Sequence, residues 1–193
     1  MYVAMTHPAW QASTVLMVVL LAGCGDGDDD SAGDAIGGTS ESISSPSEVP
    51  AEAKGAYFVG YEFSGFPLAG VLVPPNGAGN STSFIYGDCE PSGDSGCAPP
   101  LELQTWSICD RHPNDEARSR LTSLRGAKAD FAPGESRVEI YTDSKSVVIF
   151  SDVAGLAERA AKNVEPFATP RTSSDLTPPN ARALRGQARC QRG

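Results

Sequence analysis

The charges of this chain are distributed so unevenly that only its later part can fold around a core. Residues 24–52 contain eight acidic side chains and no basic one. A segment of one charge sign without apolar periodicity cannot bury enough surface to offset the entropy lost on ordering. We therefore expect residues 24–52 to form a disordered acidic tether, with a globular domain over residues 53–168 and an irregular basic tail over residues 169–193.

The net charge of −9 belongs to the tether and not to the domain. Residues 53–193 contain 16 acidic and 15 basic side chains, and 40% of the whole chain is hydrophobic. This composition indicates one domain of ordinary size. Because neither part of the chain is strongly basic, nucleic acid is not an expected partner.

A short apolar run precedes the tether. Residues 15–22 are eight consecutive apolar residues, whereas a helix that spans a bilayer needs roughly 20. This length is typical of the core of a signal peptide, although the residues before it contain no Lys or Arg. We expect residues 1–23 to be a signal peptide. The alternatives are an ordinary secretory signal that happens to contain a cysteine and a short buried helix.

The residues Leu21-Ala22-Gly23-Cys24 resemble the lipobox of bacterial lipoproteins. In that family the cysteine sulfur receives a diacylglyceryl group, and a dedicated signal peptidase cuts just before it. The resemblance implies that Cys24 is the lipidated first residue of the mature protein, on the extracytoplasmic side of the cell membrane. Its partners would then be the lipid bilayer and an unidentified envelope protein or ligand. Two acyl chains bind a membrane stably, whereas one binds only marginally.

Short strand-like runs follow residue 57, and turn residues separate them. The alternation in YFVGYEF, the runs LAGVLV and TSFIYG, and the pair RVEIY and VVIF all predict strands, with VVIF central. In LELQTWSIC the apolar phase changes, which predicts either a bulge near Thr105 or a strand covered at both ends. Asp152 is the expected N-cap of a helix over residues 153–164, with Val153 on its apolar face.

These elements predict an α+β fold. We expect a small antiparallel sheet of six or seven short strands, with one C-terminal helix packed on it and disulfides stapling the loops. Three segments together resemble uncharacterised exported domains of high-GC Gram-positive bacteria: YFVGYEFSGFPLAGV, FIYGDCEPSGDSGCAPPLELQTWSIC and RVEIYTDSKSVVIF. That resemblance covers residues 57–164 and implies no functional residues.

The cysteines outside the lipobox are even in number. Cys89, Cys97, Cys109 and Cys190 remain when Cys24 is set aside, and an even number in an exported chain predicts two disulfides. We expect Cys89 to pair with Cys97, closing a Pro/Gly/Ser loop, and Cys109 to pair with Cys190. A zinc site that uses three of these cysteines lacks the paired spacing of structural zinc sites, so no metal site or cofactor is expected.

The motif Gly-Asp-Ser-Gly at residues 93–96 is similar to the segment around the nucleophile of chymotrypsin-like proteases. Catalysis there needs a histidine base and a carboxylate that orients it. The remaining histidine of the domain, His112, follows Ser95 instead of preceding it, so no catalytic residues are assigned. A small envelope hydrolase remains the alternative function, acting through Ser95 and His112 or through a pair of acids among Glu62, Asp110, Asp115 and Glu116.

The leading hypothesis is a non-enzymatic binding or accessory module. Its predicted contact surface is the loop closed by Cys89 and Cys97 together with Tyr86 and Trp106, because large aromatic side chains dominate binding surfaces. A structural spacer without a specific ligand is the third possibility.

Overall fold

Antiparallel strands make up most of the folded chain. The computed structural model describes residues 42–74, 81–89, 97–131, 136–169 and 175–186. Within these ranges a large sheet has eight strands and a small sheet has two. The predicted α+β class is confirmed, with more strands than expected.

The strands of the large sheet are β2 (Glu62–Phe63), β3 (Phe66–Leu72), β4 (Ser81–Tyr86), β5 (Leu101–Ser107), β6 (Thr122–Leu124), β7 (Ala127–Phe131), β8 (Arg137–Tyr141) and β9 (Lys145–Phe150). The order of these strands across the large sheet is β2-β3-β4-β5-β9-β8-β7-β6. The small sheet consists of β1 (Tyr57–Phe58) and β10 (Glu165–Pro166). The helices are α1 (Asp115–Arg120) and α2 (Leu156–Asn163), and single 3₁₀ turns cover Pro46–Glu48 and Ala51–Ala53.

The alternating stretch YFVGYEF is divided between the two sheets. Its first part, β1, pairs with β10, and its last part, β2, pairs with β3. Gly60 stands between them with a φ of 101°, a conformation that only glycine adopts readily. The chain therefore leaves one sheet and enters the other at this glycine.

Strand β5 is regular along its whole length. It pairs without interruption with β4 and β9, so the predicted bulge near Thr105 is wrong. The change of phase arises because Thr105 is buried, where its hydroxyl accepts the Tyr57 N–H at 2.8 Å. Beyond the strand, Ile108 is buried in a separate apolar cluster. The irregular register lies in β3, between Leu68 and Gly70.

One face of the large sheet, which we call the core face, packs against α2 and the small sheet. Leu103, Ile140 and Ile149 lie on it, in the same apolar cluster as Leu156 and Ala160 of α2. Alanines on the buried side of α2 allow the helix to pack closely on the strands. This cluster is the principal core of the domain.

Helix α2 begins later than predicted. Its N-cap is Gly155, in the left-handed conformation with a φ of 70°, and not Asp152. Val153 precedes the helix and is 37% exposed, so its predicted place on the apolar face is wrong. The predicted hairpin, by contrast, is confirmed: β8 pairs with β9, and β9 lies between β8 and β5.

The folded region begins before residue 53. The Ile43 N–H donates to the Leu68 carbonyl at 2.8 Å, and Val49 is buried in the principal core. The predicted tether boundary is therefore too late, and residues 24–41 lie outside the described residues. In the described part of the tail, Leu176 and Ala183 are also buried, although residues 175–186 contain no helix or strand.

Candidate functional site

The face of the large sheet opposite α2, which we call the second face, carries a row of polar side chains. Side chains alternate along a strand, so burial of Leu101, Leu103 and Thr105 on the core face places Glu102, Gln104 and Trp106 on the second face. Trp106 Nε1–H donates to Gln104 Oε1 at 3.1 Å, and Gln104 Nε2 donates to Glu102 Oε1 at 2.9 Å. All three residues are partly exposed.

Arg111 holds the tryptophan from the other side. Its guanidinium carbon lies 5.6 Å from the centroid of the Trp106 ring, within the range of a cation–π contact. The same guanidinium donates from Nε and Nη2 to the two carboxylate oxygens of Glu139, at 2.7 and 3.2 Å. The indole is therefore fixed by a hydrogen bond at its nitrogen and by a cation over its ring.

Glu139 is the buried anchor of this arrangement. Its side chain is 5% exposed and also lies 3.5 Å from Arg137 Nη2. The Ser146 hydroxyl donates to Glu139 Oε1 at 3.3 Å. A buried carboxylate needs such partners to remain charged. We call Glu102, Gln104, Trp106, Arg111 and Glu139 the Trp106 cluster.

A second buried carboxylate stands directly opposite Glu139. Asp130 of β7 is its register partner and is 3% exposed. Arg120 of α1 binds Asp130 at 3.0 Å, and the hydrogen bond from Arg120 to Asp130 raises the pKa of the arginine. Burial, followed by the nearby charge of Glu139, raises the pKa of Tyr141. Two arginines that follow β5 along the chain thus pair with the two buried carboxylates: Arg111 with Glu139, and Arg120 with Asp130.

Part of the second face is covered. Ile108, Tyr141 and Ala183 form a small buried cluster, with Leu121 and Leu184 packed against it. The connection from β5 to β6 and the turn at residues 181–186 therefore pack over the Tyr141 side of the face. Along β5 and at the end of β9 the face retains partly exposed side chains, among them Trp106 and Phe150, whereas Ile85 of β4 and Val148 of β9 are buried.

Tyr86 does not belong to this surface, and its prediction as a contact residue is wrong. The β4–β5 register pairs Tyr86 with Leu101 and Ser81 with Trp106, which puts the Tyr86 side chain on the core face. It is completely buried, its hydroxyl donates to the Gly60 carbonyl, and it accepts the Val59 N–H. Burial raises its pKa. Tyr86 is a core residue.

The predicted disulfide between Cys89 and Cys97 is confirmed. It closes the connection from β4 to β5 beside Leu101, at the opposite end of β5 from Trp106. Five residues of strand separate these ends by roughly 17 Å. Residues 90–96 of the loop lie outside the described residues, so a surface that the loop shares with Trp106 stays a prediction.

The remaining cysteines are described only in part. Cys109 is disulfide-bonded, and its partner lies outside the described residues, as do Cys190 and Cys24. The predicted pairing of Cys109 with Cys190 and the lipidation of Cys24 therefore stay predictions.

Of the groups considered for hydrolysis, Glu62 and Asp110 are exposed, and Ser95 lies outside the described residues. His112 packs against the backbone of Gly186, where an added Cβ would lie 2.6 Å from its Nε2. Asp115 and Glu116 are exposed and form ion pairs within α1, with Arg118 and Arg120. No catalytic role follows from these contacts.

A cavity of about 310 Å³ lies where the chain enters α2. Ser136, Ser151 and Glu158 are among its lining residues. The buried Ser151 hydroxyl already donates to the Pro100 carbonyl at 2.6 Å. The cavity thus presents no unsatisfied buried side chain of the described ranges to a ligand.

Two further features are absent from the described part of the chain. No group of three or more His, Cys, Asp or Glu side chains in the described ranges is arranged to hold a metal ion. None of the helices within those ranges is long and apolar enough to cross a membrane.

Comparison with known proteins gave no significant match, whether to protein-family models, to curated proteins or to solved structures. The resemblances to lipoproteins and to exported domains therefore stay predictions.

The sequence pointed to Trp106 but not to the residues that fix it. Alternation in LELQTWS does place Glu102, Gln104 and Trp106 on one side of a strand, and this signal could have been used. Arg111 and Glu139 are 28 residues apart, and nothing local in the sequence indicates that they pair.

Proposed function

We propose that this chain is a lipid-anchored extracytoplasmic binding domain, held at the cell membrane through Cys24, and that the Trp106 cluster is its contact surface. The apolar run at residues 15–22 and the lipobox-like residues 21–24 support the anchor. The acidic stretch that follows supports a spacer between membrane and domain, because single-sign polar segments remain extended.

The observation that carries the binding role is the restrained, partly exposed indole of Trp106. Binding surfaces draw most of their energy from a few aromatic and arginine side chains, and a side chain that is ordered beforehand loses less entropy on binding. Gln104 orients the Trp106 nitrogen, and Arg111, anchored on Glu139, covers the ring.

The anchor is tested by expressing the full chain and its Cys24→Ser variant in a bacterium with labelled palmitate. The wild-type chain should incorporate the label and partition into the detergent phase of a Triton X-114 extract. The Cys24→Ser variant should do neither. Equal labelling of both chains would contradict lipidation at Cys24.

The contact surface is tested with the mature chain that the proposal predicts, residues 24–193, carrying Cys24→Ser. The protein is sedimented with cell envelopes of the bacterium that encodes it, and the bound fraction is measured against envelope concentration. Trp106→Ala should weaken binding about tenfold or more. Val153→Ala, which shortens an exposed side chain before α2, is the matched control and should bind like the parent. Unchanged binding by Trp106→Ala would contradict the proposal.

A further inference from the structure

We infer that the ligand of the second face is an uncharged, linear polysaccharide, an inference that rests on the proposed function. Within the Trp106 cluster and the adjoining Arg137 the charges balance, because Arg111 and Arg137 offset Glu139 and Glu102. A balanced surface gives strongly charged polymers no long-range attraction. The acidic stretch before residue 53 additionally repels polyanions.

The hydrogen-bonding groups of the row match a polyhydroxylated chain. Gln104 uses one of its two amide N–H groups on Glu102, and its oxygen accepts from Trp106. An amide has a second N–H and further acceptor capacity, and the carboxylate of Glu102 has a second oxygen. Hydroxyl groups both donate and accept, so they can use this remaining capacity. The amide of Gln104 and the carboxylate of Glu102 already hold each other in place by their hydrogen bond.

Two aromatic side chains flank the row on the same face. Glu102 is the register partner of Phe150, so Phe150 lies one strand across from Glu102, and Trp106 lies four residues along β5. Strand geometry places the Trp106 and Phe150 Cα atoms roughly 14 Å apart. Both rings are partly exposed. Aromatic rings stack on the C–H faces of sugars by apolar contact, so this spacing suits an extended ligand of several units.

A peptide that binds by adding a strand fits this surface less well. Strand addition needs a free sheet edge, whereas β5 lies inside the sheet, between β4 and β9. The edge strands β2 and β6 contain only two and three residues. The Trp106 cluster therefore offers side chains and not backbone groups to its ligand.

The test uses the envelope sedimentation assay with two changes. Envelopes are first digested exhaustively with protease, and binding is then competed with cellohexaose or chitohexaose as neutral probes and with polygalacturonate as an anionic one. Binding should survive digestion, and at least one neutral hexasaccharide should reduce it by half or more at millimolar concentration. Polygalacturonate should compete less well than that hexasaccharide.

Each other result overturns the inference. Loss of binding after protease digestion indicates a protein partner. Binding that survives digestion but resists both neutral hexasaccharides, or yields more readily to polygalacturonate, indicates another class of polymer. In each of these cases, a tenfold loss of affinity of Trp106→Ala for undigested envelopes would still support the proposed contact surface.

Variants in the row and beside it refine the test. Phe150→Ala and Gln104→Ala should each raise the apparent dissociation constant for the competing hexasaccharide about threefold or more, while Val153→Ala should leave it unchanged. Circular dichroism of each variant distinguishes weakened binding from unfolding. Folded Phe150→Ala and Gln104→Ala variants that bind the hexasaccharide like the parent would contradict the placement of the ligand along the row.

Discussion

Arg111 and Glu139 form a two-pronged ion pair that joins the connection after β5 to the middle of the large sheet. The Nε–Oε1 and Nη2–Oε2 distances are 2.7 and 3.2 Å. Glu139 is almost fully buried, whereas Arg111 is 29% exposed. The pair therefore has two roles: it gives a buried carboxylate a hydrogen-bonded cation as partner, and it holds the guanidinium against Trp106.

Removing the arginine should destabilise the fold. In Arg111→Ala the Glu139 carboxylate stays buried and keeps Arg137, Ser146 and Tyr141 as partners. We expect the free energy of unfolding to fall by about 2 kcal/mol, less than the 3–5 kcal/mol of a fully buried pair because Arg111 is partly exposed. Urea unfolding measures the difference.

Arg159→Ala provides the control for that experiment. Arg159 is exposed on α2, and no ion pair within the described residues includes it. Its removal should change the free energy of unfolding by less than about 0.5 kcal/mol. Equal effects of the two substitutions would show that the pair with Glu139 does not stabilise the fold.

The bond from the Tyr57 amide to Thr105 connects the small sheet to the large one. Thr105→Val should cost about 1–2 kcal/mol, because the buried Tyr57 N–H loses its acceptor. Hydrogen exchange at the Tyr57 amide should accelerate in the variant. Thr82→Val, at the neighbouring register position on β4, is the control, and acceleration of Tyr57 exchange in that variant instead would contradict this role of Thr105.

Two buried tyrosines should make the fold sensitive to alkali. Burial raises the pKa of Tyr86 and of Tyr141 above the value of about 10 in an unfolded chain. The unfolded state therefore loses these protons first as the pH rises. Stability is complete below about pH 10 and falls above it, by up to about 1.4 kcal/mol per pH unit for each tyrosine.

The measurement is the free energy of unfolding in urea between pH 8 and pH 11. Tyr141→Phe should decline less steeply than the parent above pH 10, because one of the two phenols is gone. Tyr86→Phe should also lose stability at neutral pH, since its hydroxyl bonds Val59 and Gly60. If the free energy of unfolding of the double variant Tyr86→Phe/Tyr141→Phe fell with pH as steeply as that of the parent, these two tyrosines would not be the cause of the sensitivity to alkali.

Non-reducing peptide mapping of the mature chain should recover Cys109 linked to Cys190. The pairing follows from cysteine parity and from the disulfide between Cys89 and Cys97. Detection of Cys190 as a free thiol would disprove it.

Local patterns predicted the elements whose stabilising contacts are themselves local. The β8–β9 hairpin follows from alternation in RVEIY, an apolar second strand and a tight turn. The start of α2 was misplaced because a left-handed Gly155, and not the better capping residue Asp152, precedes its first turn. Helix α1 was missed because five of its six residues are charged or polar and form no apolar stripe, although Asn114 caps it by accepting the Ala117 N–H at 2.7 Å.

The site was predicted only at Trp106. Tyr86 and Trp106 are both aromatic, but the contacts that bury one and leave the other partly exposed come from distant parts of the chain. Tyr86 is covered by residues 59 and 60, and Trp106 is held by an arginine that depends on Glu139. Contacts between distant strands decide which aromatic residue reaches the surface, and a single sequence carries no record of them.

The most direct test of the proposed contact surface is the accessibility of Trp106 while the protein is bound. Trp106 is the only tryptophan in residues 24–193, so its oxidation by hydroxyl radicals can be quantified in a single peptide by mass spectrometry. In the Cys24→Ser mature chain, envelope binding should reduce Trp106 oxidation about fivefold or more and leave Tyr61, which packs against the principal core, unchanged. Trp106 oxidation that is equal in the bound and free protein would contradict the account.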